Sequence, residues 1–258
     1  MTDWRPPDDA AGDQDGLRDL LAGTRAVLLD FDGPVCDLFG RTSTAGVADE
    51  VKAVARRHWG RLDPEVESCD DSHDILRRLA DMYERSAPRL RDRTPLTAAE
   101  ERVTALEAEA ATHAAPAPHI GGLVELLRGR GIPLVVVSNN AEAPIRRYLG
   151  RPDVGLTDAF GAVFGRDPHD ARLMKPDPHC VNRALAFLSL PASACLLVGD
   201  QLTDLKAARA AGTCFLGHTT DPERAEDMRQ GGANAVVSSH LEIVERLPGP
   251  VRQALTVR

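Results

Sequence analysis

The stretch Val27-Leu28-Leu29-Asp30-Phe31-Asp32-Gly33-Pro34-Val35 decides the fold of this chain. It opens with an apolar run that is typical of a strand buried on both faces of a parallel sheet. Gly33-Pro34 then turns the chain, so the strand delivers Asp30 and Asp32 to its carboxyl end. Two neighbouring buried carboxylates are costly unless a cation lies between them. The stretch therefore predicts metal-assisted chemistry with an aspartate nucleophile, unless the two aspartates only form a turn at the strand end.

The composition indicates a globular protein without a nucleic-acid or membrane partner. The chain has 258 residues, 43% of them hydrophobic and 27% charged, and a formal net charge of -8 with no lysine-rich tract. No apolar run approaches the roughly 20 residues that span a bilayer. The N-terminus lacks the apolar centre of a signal peptide, so we expect a cytoplasmic location. The five cysteines have no C-x-x-C spacing, and we expect them to be reduced.

Lysine is scarce in this chain. It occurs only at Lys52, Lys175 and Lys206, so 28 of the 31 basic residues are arginine. A lysine that remains in so arginine-rich a sequence is a candidate for a role that arginine cannot fill, because its ammonium group is a compact point charge. Lys175 is the first such candidate.

The chain divides into an all-helical segment and a segment in which strands and helices alternate. Between residues 38 and 115 strand patterns are absent, and helical periodicity covers 45–59, 70–86 and 97–114. A capping box, Thr97-Ala98-Ala99-Glu100, predicts the start of the last helix. In the remainder, strands alternate with helices through short connections, which predicts a parallel sheet covered by helices on both faces.

We therefore predict an α/β protein with a doubly wound parallel sheet and a second, smaller all-helical domain. In such a sheet, ligands bind at the carboxyl ends of the strands, next to the point where the strand order reverses. The predicted parts are a mobile tail at 1–15, a discontinuous α/β core at 16–37 and 116–247, the helical domain at 38–115 and a C-terminal tail at 248–258.

Three further polar stretches occur where such a site would form. Ser138-Asn139-Asn140 and Gly199-Asp200-Gln201-Leu202-Thr203-Asp204 each follow an apolar strand, and Lys175-Pro176-Asp177-Pro178 precedes a helix on a loop that its prolines stiffen. We expect all three to lie close to Asp30. Each also has a simpler interpretation, because Ser138 and Asp204 could only cap helices and Lys175 could be a solvated surface charge.

The four stretches in this order resemble the haloacid dehalogenase (HAD) superfamily of phosphotransferases, from about residue 25 to 247. The motifs are D-x-D-G, a small hydroxyl residue after the second strand, a lysine, and G-D-x-x-x-D. The helical segment resembles the mobile cap of one branch, that of phosphoglycolate phosphatase and β-phosphoglucomutase. The resemblance implies a Rossmann-like core under a helical cap, with hinges near Cys36–Phe39 and Ala115–His119.

The resemblance and the chemistry of phosphate esters together suggest the roles of the reacting groups. Asp30 would attack phosphorus and form an aspartyl-phosphate, and Asp32 would protonate the leaving alcohol and later deprotonate water. Mg²⁺ would be bound by the Asp30 carboxylate, the Asp32 backbone carbonyl, Asp200 and Asp204. A halide leaving group needs no proton, so the acid at Asp32 favours cleavage or transfer of a phosphoester.

The remaining motif residues would bind phosphate. Ser138 would donate a hydrogen bond to a phosphoryl oxygen, and Asn139 would fix the loop or contact phosphate. Lys175 would offset charge and keep Asp30 ionised. In the cap, the candidates for substrate contact, each of which could instead belong to a solvated face, are Arg41, His73, Arg91 and Arg93.

The sequence thus predicts a magnesium-dependent phosphatase that hydrolyses a small phosphorylated metabolite. Two alternatives stay open. A phosphomutase shares the first half-reaction, and a catalytically weak relative would bind a phosphometabolite or a protein partner and regulate. Substrate identity and oligomeric state are not encoded in any pattern that we can interpret.

Overall fold

The computed structural model describes residues 9–42, 44, 46–86 and 92–247, with side chains from residue 16 onward. The predicted C-terminal tail at 248–258, the first eight residues of the predicted N-terminal tail, and Arg91 lie outside the described residues.

In the part of the chain that the structure describes, eight strands form two sheets. The strands are β1 (Ala26–Leu29), β2 (Cys36–Asp37), β3 (Ala115–Pro116), β4 (Leu134–Val137), β5 (Ala162–Phe164), β6 (Cys195–Gly199), β7 (Cys214–His218) and β8 (Ala235–Val237). Six of them make one parallel sheet in the order β5-β4-β1-β6-β7-β8. The chain runs outward from β1 to β5 and returns to β6 on the other side of β1, so the strand order reverses between β1 and β6. This is the expected place for a ligand crevice.

The centre of the sheet is buried on both faces because β1 and β4 are apolar at every position. In β1, Val27 and Leu29 face one hydrophobic cluster, and Ala26 and Leu28 face the other. Burial of consecutive residues on opposite faces is the period-2 geometry of a central strand. The predicted doubly wound parallel sheet is confirmed.

Helices cover both faces of the sheet. They are α1 (Asp9–Gly23), α6 (Ile120–Gly129), α7 (Glu142–Leu149) and α11 (His240–Arg246) on one face, and α8 (His179–Leu188), α9 (Leu202–Ala211) and α10 (Pro222–Gln230) on the other. α1 begins at Asp9, seven residues before residue 16, where the sequence placed the start of the core. A polar composition had suggested a tail there.

The segment between β2 and β3 is helical, as predicted. Its helices are α2 (Val47–Trp59), α3 (Pro64–Glu67), α4 (Asp74–Arg85) and α5 (Thr94–His113). The short helix α3 was not predicted. The capping box predicted at Thr97 is wrong, because α5 begins three residues earlier, where the Thr94 N–H donates to Asp92 Oδ1 at 2.9 Å. Pro95 occupies the first turn, where its missing N–H costs nothing.

The helical cap has its own hydrophobic cluster but shares α5 with the core. Val103 and Leu106 in α5 pack with the other cap helices, whereas Ala110 and Ala111 belong to the cluster beneath the sheet. The two chain crossings between cap and core pair as the antiparallel strands β2 and β3. They lie where the sequence placed the hinges, and hinge motion itself stays a prediction. Within the described residues, no helix has the length and apolar character needed to cross a membrane.

Candidate active site

Asp30 and Asp200 lie side by side because β1 and β6 are neighbours that end at the same level. Leu29 pairs with Val198, and the Asp30 N–H donates to the Val198 carbonyl at 2.9 Å. Asp204 lies in the first turn of α9 (Leu202–Ala211), and its side chain points towards Asp30 and Asp200. Carboxylate oxygens of Asp30, Asp200 and Asp204 all lie within 4.8 Å of one another. The pairing of β1 with β6 thus brings two segments that are distant in sequence into one acidic cluster.

Two glycines make room for these carboxylates. A Cβ at Gly33 would lie 2.6 Å from Asp200 Cγ, and one at Gly199 would lie 2.5 Å from Asp204 Cγ. Gly33 also has φ of 101°, a conformation that L side chains rarely adopt. The Gly33 N–H donates to the Cys36 carbonyl at 2.7 Å, which fixes the turn after Asp32.

Lys175 is a buried cation inside the acidic cluster. Its Nζ lies 2.9 Å from Asp30 Oδ1 and 2.5 Å from Asp204 Oδ1, and it donates to the Val137 carbonyl at 3.2 Å. The lysine is only 3% exposed, which excludes the interpretation as a solvated surface charge. Burial alone would lower its pKa, but Asp204 and Asp30 raise the pKa above its ordinary value, so the ammonium group stays charged.

Three carboxylates of the site, those of Asp30, Asp32 and Asp200, have raised pKa values. Burial raises the pKa of Asp30 to about 7, with a further contribution from Asp204. Burial also raises the pKa of Asp32 and that of Asp200, each to about 6. A single lysine therefore does not compensate the negative charge that the cluster carries at neutral pH.

The cluster fits a hard divalent cation. Asp200 Oδ1 is buried and has no hydrogen-bond partner among the described residues. An oxygen-only donor set of three carboxylates matches the ligands that such ions prefer. The orphaned oxygen, the glycine clearances and the raised pKa values are all consistent with one further positive charge at this point.

Asp32 stands apart from the three clustered carboxylates. Its Oδ1 accepts a hydrogen bond from the Leu38 N–H at 2.8 Å, so its side chain turns towards the connection to the cap. Between the two aspartates, Phe31 is fully buried and packs edge-on against Tyr148 at 5.3 Å between ring centroids. The alternating directions of residues 30–32 give the two carboxylates different surroundings, which different chemical roles require.

The loop after β4 carries Ser138 and Asn139, and it contacts the loop that carries Lys175. Ser138 Oγ donates to Asn140 Oδ1 at 3.0 Å. α7 starts later, with Ala141 at its N-cap and no side-chain cap, so Ser138 is not the helix cap. Asn139 makes two hydrogen bonds to the Lys175 backbone, at 2.7 and 3.2 Å, and thereby fixes the loop that carries the lysine.

Asp204 has two functions in the structure. It is the third residue of α9, and its Oδ2 accepts from the Gln201 N–H at 3.0 Å within a capping box. It also forms an ion pair with Lys175, so capping the helix does not exclude the predicted role of Asp204 in the site. The Gln201 side chain donates a hydrogen bond to Asp200 Oδ2 at 2.7 Å, so it lies directly beside the acidic cluster.

A cavity of about 530 Å³ opens above these residues, between core and cap. It brings together all the predicted site residues, Asp30, Asp32, Ser138, Asn139, Lys175, Asp200 and Asp204. Of the described cap candidates, only His73 lines it. Arg93 instead donates to the His169 carbonyl, and Arg41 is exposed and away from the cavity.

The sequence reasoning missed two buried charged residues beside the site, Glu107 and Arg166. Both are at most 5% exposed, and Arg166 forms an ion pair with Glu107. A signal for Glu107 existed. It falls on the apolar stripe of α5 that Ala99, Val103, Leu106 and Ala110 define, where a charge needs a partner.

The parallel sheet and the acidic cluster at its carboxyl edge are those expected of a HAD-like hydrolase. Comparison with known proteins supports the same class. A family model described as "Hydrolase: haloacid dehalogenase-like hydrolase" matches residues 24–212. The chain belongs to this family.

Two curated relatives and one solved structure illustrate the similarity. A phosphoglycolate phosphatase of Neisseria gonorrhoeae is 35% identical over 40% of this chain and 42% of its own length. One of Nitrosospira multiformis is 29% identical over 84% of this chain and 93% of its length. CbbY from Rhodobacter sphaeroides, crystallised with phosphate, has a TM-score of 0.58 at 20% identity and covers 87% of this chain and 99% of its own. The chain spans less than half of the length of several such curated relatives.

Proposed function

We propose that this protein is a Mg²⁺-dependent phosphatase that hydrolyses a small phosphate monoester through an aspartyl-phosphate on Asp30. The observation that carries the proposal is the position of Asp30, whose Oδ1 lies 2.9 Å from Lys175 Nζ in a cluster with Asp200 and Asp204. A carboxylate attacks a phosphate dianion only where positive charge surrounds the phosphoryl group.

The chain's own residues would divide the work as follows. Asp30 Oδ attacks phosphorus, and the P–O bond to the alcohol breaks. Asp32 gives its proton to the departing oxygen and then removes one from the water that hydrolyses the acyl phosphate. A pKa of about 6 lets Asp32 do both near neutral pH. Ser138 Oγ, whose single proton Asn140 Oδ1 accepts in the free protein, would turn that proton to a phosphoryl oxygen when the substrate binds, and Lys175 offsets charge.

Asp30, Asp200 and Asp204, with the Asp32 backbone carbonyl, would hold Mg²⁺. When bound, the ion supplies the charge neutralisation that one lysine does not. The names of the relatives suggest 2-phosphoglycolate as the first substrate to test, since the Nitrosospira multiformis protein aligns over nearly its whole length.

Phosphate release tests the proposal. The protein, treated with EDTA and then supplied with Mg²⁺ or with none, is incubated with p-nitrophenyl phosphate and with a panel of phosphorylated acids and sugars that includes 2-phosphoglycolate. We expect Mg²⁺-dependent release of phosphate, and none from Asp30→Asn. Full activity in EDTA would contradict the proposed site. Recovery of an isomerised sugar phosphate instead of free phosphate would identify a phosphomutase.

A further inference from the structure

A buried carboxylate joins the cap to the phosphate side of the cavity. Glu107 in α5 has no exposed surface and does not line the cavity. Its Oε1 accepts from His73 Nε2 at 2.7 Å and from Asn140 Nδ2 at 3.2 Å, and its Oε2 accepts from the Ala141 N–H at 2.9 Å. These donors come from the loop before α4 in the cap and from the loop after β4 in the core.

Arg166 holds Glu107 in place. The arginine side chain is fully buried and donates through Nη1 to Glu107 Oε1. Its Nε donates to Glu100, and its Nη2 donates to Thr104 Oγ1 at 2.8 Å. Glu100, Thr104 and Glu107 follow one another at helical spacing on α5, so the guanidinium group lies along this helix and cannot rotate freely.

Stability alone is a weak explanation for this cluster. A buried ion pair often contributes no more than apolar residues of the same volume, because both charges lose their hydration. The ion pair instead determines how the neighbouring hydrogen-bond donors are oriented. Burial would raise the pKa of Glu107, but the hydrogen bond from His73 and the charge of Arg166 lower it to about 2. The carboxylate is therefore ionised and accepts hydrogen bonds only.

An acceptor at this point orients both neighbours. Because Glu107 cannot donate, the Asn140 amide must turn its NH₂ group towards Glu107 and its oxygen towards Ser138 Oγ, at 3.0 Å. For the same reason, Nε2 of His73 carries the proton, which fixes the tautomer of a ring that lines the cavity.

We infer that Glu107, clamped by Arg166, is a positioning residue that aligns the two walls of the cavity. On the core side it fixes the position of Ser138 Oγ through Asn140, whose Oδ1 accepts from that oxygen at 3.0 Å and whose N–H donates to it at 3.2 Å. On the cap side it fixes the ring of His73. The inference rests on the proposed function, because it assigns Ser138 to the phosphoryl group. It adds a residue that touches no substrate and acts only through its neighbours.

Kinetics of Glu107→Gln test the inference. Ser138 would contact phosphate in both the bound substrate and the transition state, so misorientation weakens both complexes equally. With p-nitrophenyl phosphate and Mg²⁺, we expect KM, and the inhibition constant of inorganic phosphate, to rise about tenfold while kcat changes less than threefold. Glu50→Gln, which breaks the exposed Glu50–Arg102 ion pair of the same cap, should leave both constants unchanged.

Two further variants separate positioning from folding. In a Ser138→Ala background, Glu107→Gln should raise the inhibition constant of phosphate by much less than tenfold, because the residue through which it acts on the core side is gone and only His73 remains. Should Glu107→Gln not fold, the double variant Glu107→Met/Arg166→Met removes both charges at similar volume and should show the same rise in KM.

The outcomes are distinguishable. A parent protein that releases no phosphate from any ester contradicts the proposed function. An active parent whose folded Glu107 variants lose kcat at unchanged KM contradicts the inference, since a merely structural residue would lower only the active fraction. An equal rise of the inhibition constant in the Ser138→Ala background would also overturn it.

Discussion

Asp30 and Asp32 are two aspartates separated by one residue, and the structure gives them different surroundings. Asp30 lies 2.9 Å from Lys175 in the acidic cluster, whereas Asp32 is held by the Leu38 N–H at the entrance to the cap. Chemically identical side chains acquire different roles when their surroundings differ in this way.

The first prediction separates the two roles. Asp32→Asn removes the proton donor but leaves the backbone and Asp30 intact. A nitrophenolate leaves without protonation, so this variant should still phosphorylate Asp30, and the aspartyl-phosphate should accumulate because no base activates water. An alkyl phosphate should lose at least about 100-fold in rate. Rapid quench with mass spectrometry measures both; turnover of alkyl phosphates at the parent rate would exclude Asp32 as the acid.

Gly33 gives a second prediction at this scale. In Gly33→Ala, the added Cβ would collide with the Asp200 carboxylate, so we expect Mg²⁺ affinity and activity to fall at least tenfold. Gly46→Ala is the matched control, because φ there is 87° and none of the described residues lies within 4 Å of the added Cβ. Both variants bear a backbone strain of about 1–2 kcal/mol, but only the first should lose Mg²⁺ in a calorimetric titration. Equal Mg²⁺ affinity in the two variants would contradict this prediction.

At the scale of the elements, the loop that carries His73 is anchored by a buried lysine. Lys52 in α2 donates to the Glu67 carbonyl at 3.2 Å and to the Cys69 carbonyl at 2.9 Å. These carbonyls lie at the end of α3 and just beyond it, where a helix leaves its acceptors without partners. The scarcity of lysine thus marks a structural cation in the cap as well as the one in the site.

Lys52→Met should therefore destabilise the cap. The substitution keeps the apolar stem but leaves two carbonyls without this donor, at a cost of about 1–3 kcal/mol in the free energy of unfolding. Urea denaturation measures it. Lys206→Met, at an exposed lysine on α9, is the control and should change stability by less than about 0.5 kcal/mol. Equal stability of the two variants would show that Lys52 does not anchor the loop.

At the scale of the whole molecule, the acidic cluster links stability to pH and to metal. The pKa values of Asp30, Asp32 and Asp200 are raised in the folded protein, so the folded state retains protons that the unfolded state loses. Their contribution to stability without metal therefore falls as pH rises from about 4 to about 7.

Mg²⁺ should reverse that loss. Because it competes with protons for the same oxygens, saturating Mg²⁺ should raise Tm more at pH 8 than at pH 5.5. Thermal melts with Mg²⁺ or EDTA at the two pH values test this. Asp200→Asn should melt higher than the parent at pH 8 in EDTA, since one repelling charge is gone, and should gain less from Mg²⁺. A Mg²⁺-induced rise that is the same at both pH values would argue against the cluster as the binding site.

Much of the fold was predictable because the signals are local. The apolar runs that end in Asp30, Ser138 and Asp200 mark buried strands, and parallel strands share one carboxyl edge, so their neighbourhood followed from sequence. Element boundaries were less predictable. α5 starts earlier than its pattern indicated, because the loop residue Asp92, and not the capping motif at Thr97, accepts from the first N–H of the helix.

The sequence by itself determined the class of sheet, the helical cap and the residues of the acidic cluster, because each rests on periodicity or on a motif that is continuous in the chain. The sequence also placed Lys175 near Asp30, but only the tertiary structure decided the full set of partners of each buried charged group. Lys175 between Asp30 and Asp204, and Glu107 between His73, Asn140 and Arg166, join segments that are far apart in sequence. The hydrogen bonds of Glu107 depend on how α5 packs against the core, and no local sequence pattern encodes that packing.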